Sequence, residues 1–127
     1  MQQVQANLIP CIRLYNIEDN KCTFEKGNLP AAASIAASYF VIQSHIDDYQ
    51  TRPHPAPRKQ YVITLKGKLR FRVSNGETFT IEPGVILLAE DTEGPGHSWE
   101  LIEGEEWLRV YIPVPTSEKD AFIAESK

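Results

Sequence analysis

The chain has 127 residues, of which 42% are hydrophobic, 24% charged and 9% aromatic. That suits a single domain over residues 1–127 with a real core, and it excludes wholesale disorder or a collagen-like repeat. Thirteen Lys and Arg against seventeen Asp and Glu leave a net charge of -4, so nucleic acid and anionic membrane are poor partners and a small polar ligand is a better one.

At the N-terminus, residues 1–7 lack the basic and apolar regions of a secretory signal, and no apolar run approaches the roughly 20 residues needed to cross a bilayer. The expected compartment is the cytoplasm. Cys11 and Cys22 are the only cysteines; two thiols make neither a disulfide framework nor a four-thiolate zinc site, and they read as reduced thiols on early strands. Nine prolines and seven glycines cut the chain into short pieces, and those pieces alternate with period two, as strands joined by turns do. Cys11 to Tyr15 and Cys22 to Phe24 are short strand candidates. Ala36 to Ile46 predicts a longer strand, with Tyr39, Val41, Gln43 and His45 on one face and Phe40, Ile42, Ser44 and Ile46 on the other.

Between Thr51 and Lys59, Pro53, Pro55 and Pro57 forbid ladder pairing and predict a stiff loop, a good platform for a site. The next strand, Tyr61 to Leu65, is apolar on both faces. With Gln60, Val62 and Thr64 inward, Tyr61, Ile63 and Leu65 need a cover: the N-terminal strands around Ile12 and Leu14, or a second protomer. A homodimer with Ile63 or Leu65 in its twofold interface is the expectation. After a turn at Lys66-Gly67, Leu69, Phe71 and Val73 face inward and Lys68, Arg70 and Arg72 face water. Asn75-Gly76 predicts a tight hairpin into Thr78–Ile81, and Pro83-Gly84 a turn into Val85–Leu88. Beyond the loop Glu90–Gly96, His97–Ile102 and Trp107–Ile112 are expected to pair with each other across Glu103 to Glu106. Ser117 to Glu125 predicts a short helix, with Ser117 as N-cap.

Many short strands in one domain predict an all-β sandwich or barrel. The order His54, Gln60, six residues, Gly67, then Gly76, Pro83-Gly84 and His97 resembles the two motifs of the cupin superfamily over Arg52 to roughly Trp99. The resemblance implies a double-stranded β-helix, or jelly roll, with a pocket in the barrel mouth. His54 and His97 stand at two of the family's metal-ligand positions, Gln60 stands where its glutamate would, and Ala56 replaces its second histidine. The turn between Gly76 and Pro83 is one residue longer than usual, and Glu90 replaces a common proline. What the resemblance implies for chemistry is a divalent transition metal (Fe, Ni, Mn or Zn) on His54, Gln60 and His97, with a ligand set weakened by the two changes. His45 could restore a ligand if it points inward.

Arg52, Arg58 and Lys59 make the pocket mouth cationic, which favours an anionic small molecule, with Arg58 as its grip. Trp99 and Leu101 share a strand face with His97 and would line the pocket. Which of the sets Trp107/Tyr111 and Leu108/Val110/Ile112 faces inward is open. Within Glu90, Asp91 and Glu93, a carboxylate beside His97 could serve as general base, but the favoured reading of the cluster is a solvated acidic loop. No phosphate loop, dinucleotide fingerprint or nucleophile elbow is present, so no nucleotide cofactor is expected. The chain is expected to be a cupin-type enzyme acting on an acidic or carbonyl-bearing metabolite by oxidation, isomerisation or lyase chemistry. The alternative is a non-catalytic binding module that has lost its metal. No catalytic residue is assigned by these patterns.

Overall fold

A computed structural model describes residues 8–46, 51–115 and 119–125. Eight strands account for nearly all its regular structure: β1 (Leu8–Asn16), β2 (Cys22–Pro30), β3 (Val41–Gln43), β4 (Gln60–Arg72), β5 (Thr78–Ile81), β6 (Ile86–Ala89), β7 (Ser98–Pro113) and β8 (Ile123–Ala124). They hydrogen-bond in the order β3-β7-β4-β6-β1-β2-β8, with β5 paired to β4 off this path, as one mixed sheet. Among the described strands no ladder joins the two ends, so the sheet is not closed into a barrel. It is curled instead. Phe24 of β2 and Phe79 of β5, which share no ladder, meet with ring centroids 4.7 Å apart, and Phe79 stacks on Phe71.

The alternation read from Leu69 to Val73 is present: Leu69, Phe71 and Val73 are buried while Arg70 and Arg72 are exposed. The Asn75-Gly76 hairpin forms, with Gly76 at φ 91° and the Asn75 side chain accepting from the Glu77 amide. Pro83-Gly84 also turns the chain, closed by a hydrogen bond from the Val85 amide to the Glu82 carbonyl.

Two expected breaks do not occur. Lys66-Gly67 is a bend inside one continuous strand, β4, and His97–Ile102 does not pair with Trp107–Ile112. From Ser98 onward both segments belong to the single strand β7, which runs antiparallel to β4 along its whole length, from Gln60↔Pro113 to Arg72↔Ser98, while His97 makes an isolated bridge with His54. Register shifts between Thr64 and Leu69 absorb the Glu103–Glu106 stretch. Gly67 and Gly104, at φ 104° and 95°, sit where this bend demands a left-handed backbone.

The expected strand Ala36–Ile46 shrinks to Val41–Gln43, because among the described strands β7 is its only ladder partner and residues 36–40 pair with none. The expected C-terminal helix is absent from residues 119–125; its N-cap, Ser117, lies outside the described residues. There Ile123 and Ala124 pair with Asn28 and Gly27 of β2. A helix of nine residues has little stability of its own, and the packing of Phe122 over Gly27 prevails over it.

The same segment covers the Tyr61 end of the outer face of β4 and leaves Leu65 exposed. Tyr61 is buried with Cys11, Leu29 and Leu88, against Ala121 and Phe122, and its hydroxyl accepts the Ala121 amide. Ile12 and Leu14, expected as that cover, face the inner core instead, because Cys11 and Ile9 take the outward positions of β1. Burial is the largest influence on the Cys11 thiol, pushing it up to about 12, so it is an inert apolar filler.

Candidate functional site

The concave side of the curled sheet encloses an open cavity of about 500 Å³, walled by residues of β3, β4, β6 and β7 and by the proline loop. His54, Arg58, Gln60, His97 and Trp99, which the motif spacing singled out, all line it. The open question on β7 resolves in favour of the aromatic set: Trp107 and Tyr111 face the cavity. Leu108, Val110 and Ile112 therefore face outward by alternation. Leu101, expected to line the pocket with Trp99, shares its face but packs against the inner core and does not line the cavity.

The proline loop is held by backbone bonds to the segment that carries His97. His54 and His97 exchange both amide bonds (2.9 and 3.0 Å), and the Ala56 amide donates to the Asp91 carbonyl (2.9 Å). Gly96, at φ 72°, permits this approach, since a Cβ there would overlap the His54 carbonyl. The two imidazoles end 5.2 Å apart between ring centroids. Each commits Nδ1 away from the other: His54 to the Arg52 carbonyl at 2.8 Å, His97 to Asp91 Oδ2 at 2.5 Å. A carbonyl accepts only, so His54 Nδ1 carries the proton there.

Asp91 is fully buried and His97 6% exposed. A carboxylate at this depth accepts the His97 Nδ1 proton, fixes the ring's tautomer and orientation, and leaves Nε2 as the nitrogen able to meet a ligand. The Cys22 thiol donates to the same Oδ2 at 3.3 Å, while Oδ1 is buried with no hydrogen-bond partner among the described residues. Cys22, Asp91 and His97 offer ligand atoms within 4.8 Å of one another, a group that could hold a metal ion. Burial is the main influence on the Cys22 thiol and pushes it far up, with Asp91 adding to the effect, so the proton stays on sulfur.

The cationic mouth expected from Arg52, Arg58 and Lys59 divides. Arg58 lines the cavity and donates to Gln60 Oε1 at 3.2 Å. Lys59 turns away to Asp120 (2.6 Å) and Glu90 (3.7 Å), and Arg52 is exposed outside the cavity lining. The acidic cluster divides as well: Glu90 pairs with Arg13 and Lys59, and only Asp91 reaches the site. His45 is exposed and does not line the cavity, so it supplies no third imidazole there.

Behind Trp107 and Tyr111 lies Arg109, wholly buried, which motif spacing did not mark. Comparison with family models, curated proteins and solved structures returned no match. Among the described residues no helix is long and apolar enough to cross a membrane.

Proposed function

We propose that the chain is a cupin-type enzyme, a small jelly roll left open on one side, in which His97 moves a proton on an acidic or carbonyl-bearing metabolite. The observation that carries the reading is the 2.5 Å bond between His97 Nδ1 and buried Asp91 in the wall of an apolar cavity. An imidazole backed by a carboxylate accepts a proton at Nε2 and returns it, while the carboxylate stabilises the imidazolium formed in between. Arg58 at the cavity lining supplies positive charge for a carboxylate or for an oxygen that becomes negative as the proton leaves. Isomerisation and lyase reactions that begin with a proton taken from carbon beside a carbonyl fit this equipment.

The cupin resemblance also implies a metal on His54, Gln60 and His97, and these residues do line one cavity. They fit a metal poorly: the set has no carboxylate, and the Gln60 oxygen already faces the Arg58 guanidinium. Cys22, Asp91 and His97 favour a second reading, a metal held behind the cavity wall. The other alternative is a binding module without chemistry.

One experiment separates these readings: proton NMR in deuterated buffer of 2-oxo, 3-oxo and 2-hydroxy acids, alongside metal analysis of protein purified without chelator. The proton-transfer reading expects exchange at carbon next to a carbonyl, abolished by His97→Gln, in metal-free protein. Stoichiometric metal with exchange lost on its removal would favour the second reading. No exchange on any member of the panel favours the binding module.

The homodimer also stands as a proposal. Ile42, Val110 and Ile63 lie side by side on the outer face of β3, β7 and β4, and Ile42 and Leu65 are 61% and 50% exposed. Such an apolar stripe on an uncovered sheet is the surface a second copy would bury.

A further inference from the structure

The largest fully buried side chain among the described residues is a cation, Arg109, 0% exposed. Its Nε donates to the Tyr111 hydroxyl (2.9 Å) and its Nη1 to the Trp107 carbonyl (2.8 Å). Nη2 is buried with no hydrogen-bond partner, and among the described residues no carboxylate pairs with the guanidinium. The group lies over the Trp107 ring at 4.6 Å and the Tyr111 ring at 5.5 Å from their centroids.

An unpaired buried charge is among the least favourable features a fold can carry, and an apolar residue of similar volume would serve packing better. Cation–π contact with two rings offsets part of that cost but neutralises no charge. Trp107 and Tyr111 both line the cavity, as does Gln43, the ladder neighbour of Arg109 on β3. The guanidinium therefore lies against two of the rings that line the cavity. In that low-dielectric setting its charge reaches into the cavity with little screening.

We propose that Arg109 is the counter-charge that selects a carboxylate-bearing ligand for this cavity over its neutral analogue. The inference rests on the cavity being a ligand site, as proposed above, and names what that site discriminates. A carboxylate suits it better than a phosphate because, among the described residues, Arg58 is the one Lys or Arg at the lining, and a monoanion needs less counter-charge than a phosphate carrying close to two negative charges. Arg109 is a specificity-determining residue in this account, acting through space; the proton chemistry belongs to His97.

The chain's two tryptophans, Trp99 and Trp107, both line the cavity, so intrinsic fluorescence reports its occupancy. Benzoate, benzamide and inorganic phosphate are the probes, titrated against wild type, Arg109→Met and Arg109→Lys. Wild type should bind benzoate at least tenfold more tightly than benzamide. Arg109→Lys should retain that preference and Arg109→Met should cut it at least fivefold, leaving only what Arg58 at the lining supplies, with benzamide affinity unchanged and the melting temperature unchanged or raised. A structural role would instead lower the melting temperature and leave the preference intact. The proposal is overturned if wild type prefers benzamide or phosphate, binds no benzoate, or if a folded Arg109→Met keeps the preference. Should Arg109→Met not fold, Arg109→Gln takes its place under the same criteria. Loss of proton exchange chemistry with this selectivity preserved would reject the acid–base reading alone.

Discussion

Replacing Asp91 by Asn tests the dyad without changing its size. The wild-type carboxylate accepts from His97 Nδ1 at 2.5 Å and from the Cys22 thiol at 3.3 Å, and its other oxygen has no hydrogen-bond partner among the described residues. An Asn side chain that keeps its oxygen toward His97 places an NH2 group where that unpartnered oxygen was, so one buried polar group stays unsatisfied. What changes is the charge: hydrogen bonds to ionised groups contribute about 1.5–3 kcal/mol against about 1 for neutral ones. Over two bonds the expected loss is about 1–4 kcal/mol, and at roughly 3–5 °C per kcal/mol for a domain of this size the melting temperature should fall by about 3–20 °C. Nitrogen-15 NMR of the imidazoles supplies the second readout. Wild-type His97 should carry its proton on Nδ1; in Asp91→Asn the molecules whose amide turns its NH2 toward Nδ1 should show the Nε2–H form, while the His54 spectrum stays unchanged. Unchanged melting together with an unchanged His97 tautomer would refute the claim that Asp91 orients this ring.

Gly96→Ala should cost several kcal/mol by urea denaturation, because its Cβ would overlap the His54 carbonyl at a backbone φ of 72°; a cost below about 0.5 kcal/mol would contradict the His54–His97 bridge. The C-terminal segment should respond to acid but not to neutral pH. Burial raises the Asp120 carboxyl, but its hydrogen bonds from Lys59 and the Phe122 amide outweigh that and hold it below its ordinary value of 3.8. Its contribution is thus complete above about pH 4 and is lost as pH falls further. Hydrogen exchange of residues 119–125 should rise below about pH 4 and stay flat from pH 5 to 8; a transition near pH 6 would contradict this. Ile63→Asp should halve the mass seen by light scattering if the outer stripe is a dimer interface, and a wild-type monomer at micromolar concentration would remove that proposal.

The readable parts of this chain are those where local chemistry and the fold agree. Asn75-Gly76 needs a left-handed backbone that other residues resist, and Leu69, Phe71 and Val73 alternate because one face of β4 is wet. The pairing of His54 with His97 was legible only through the resemblance to the two cupin motifs. Other features depend on contacts that no local pattern encodes. The continuity of β7 rests on its bulged pairing with β4, and the fate of the C-terminal segment on a glycine nearly a hundred residues earlier. Arg109 was hidden because Leu108, Val110 and Ile112 look like the buried set. The inward set is the aromatic one, whose rings give a guanidinium somewhere to lie. Asp91 was visible as one of three acids, but only the Ala56–Asp91 backbone bond brings it, rather than Glu90 or Glu93, behind His97.

The central claim is that His97, held from behind by Asp91, presents a reactive nitrogen to a cavity that attracts carboxylates. Alkylation with bromoacetate, a carboxylate-bearing electrophile, tests it most directly, because Cys11 and Cys22 are buried thiols held in their protonated form. Mass mapping should find one carboxymethyl group on His97, formed faster than on exposed His45 and slowed by benzoate. Modification of His45 at an equal or greater rate, or labelling of His97 that benzoate does not slow, would contradict the account.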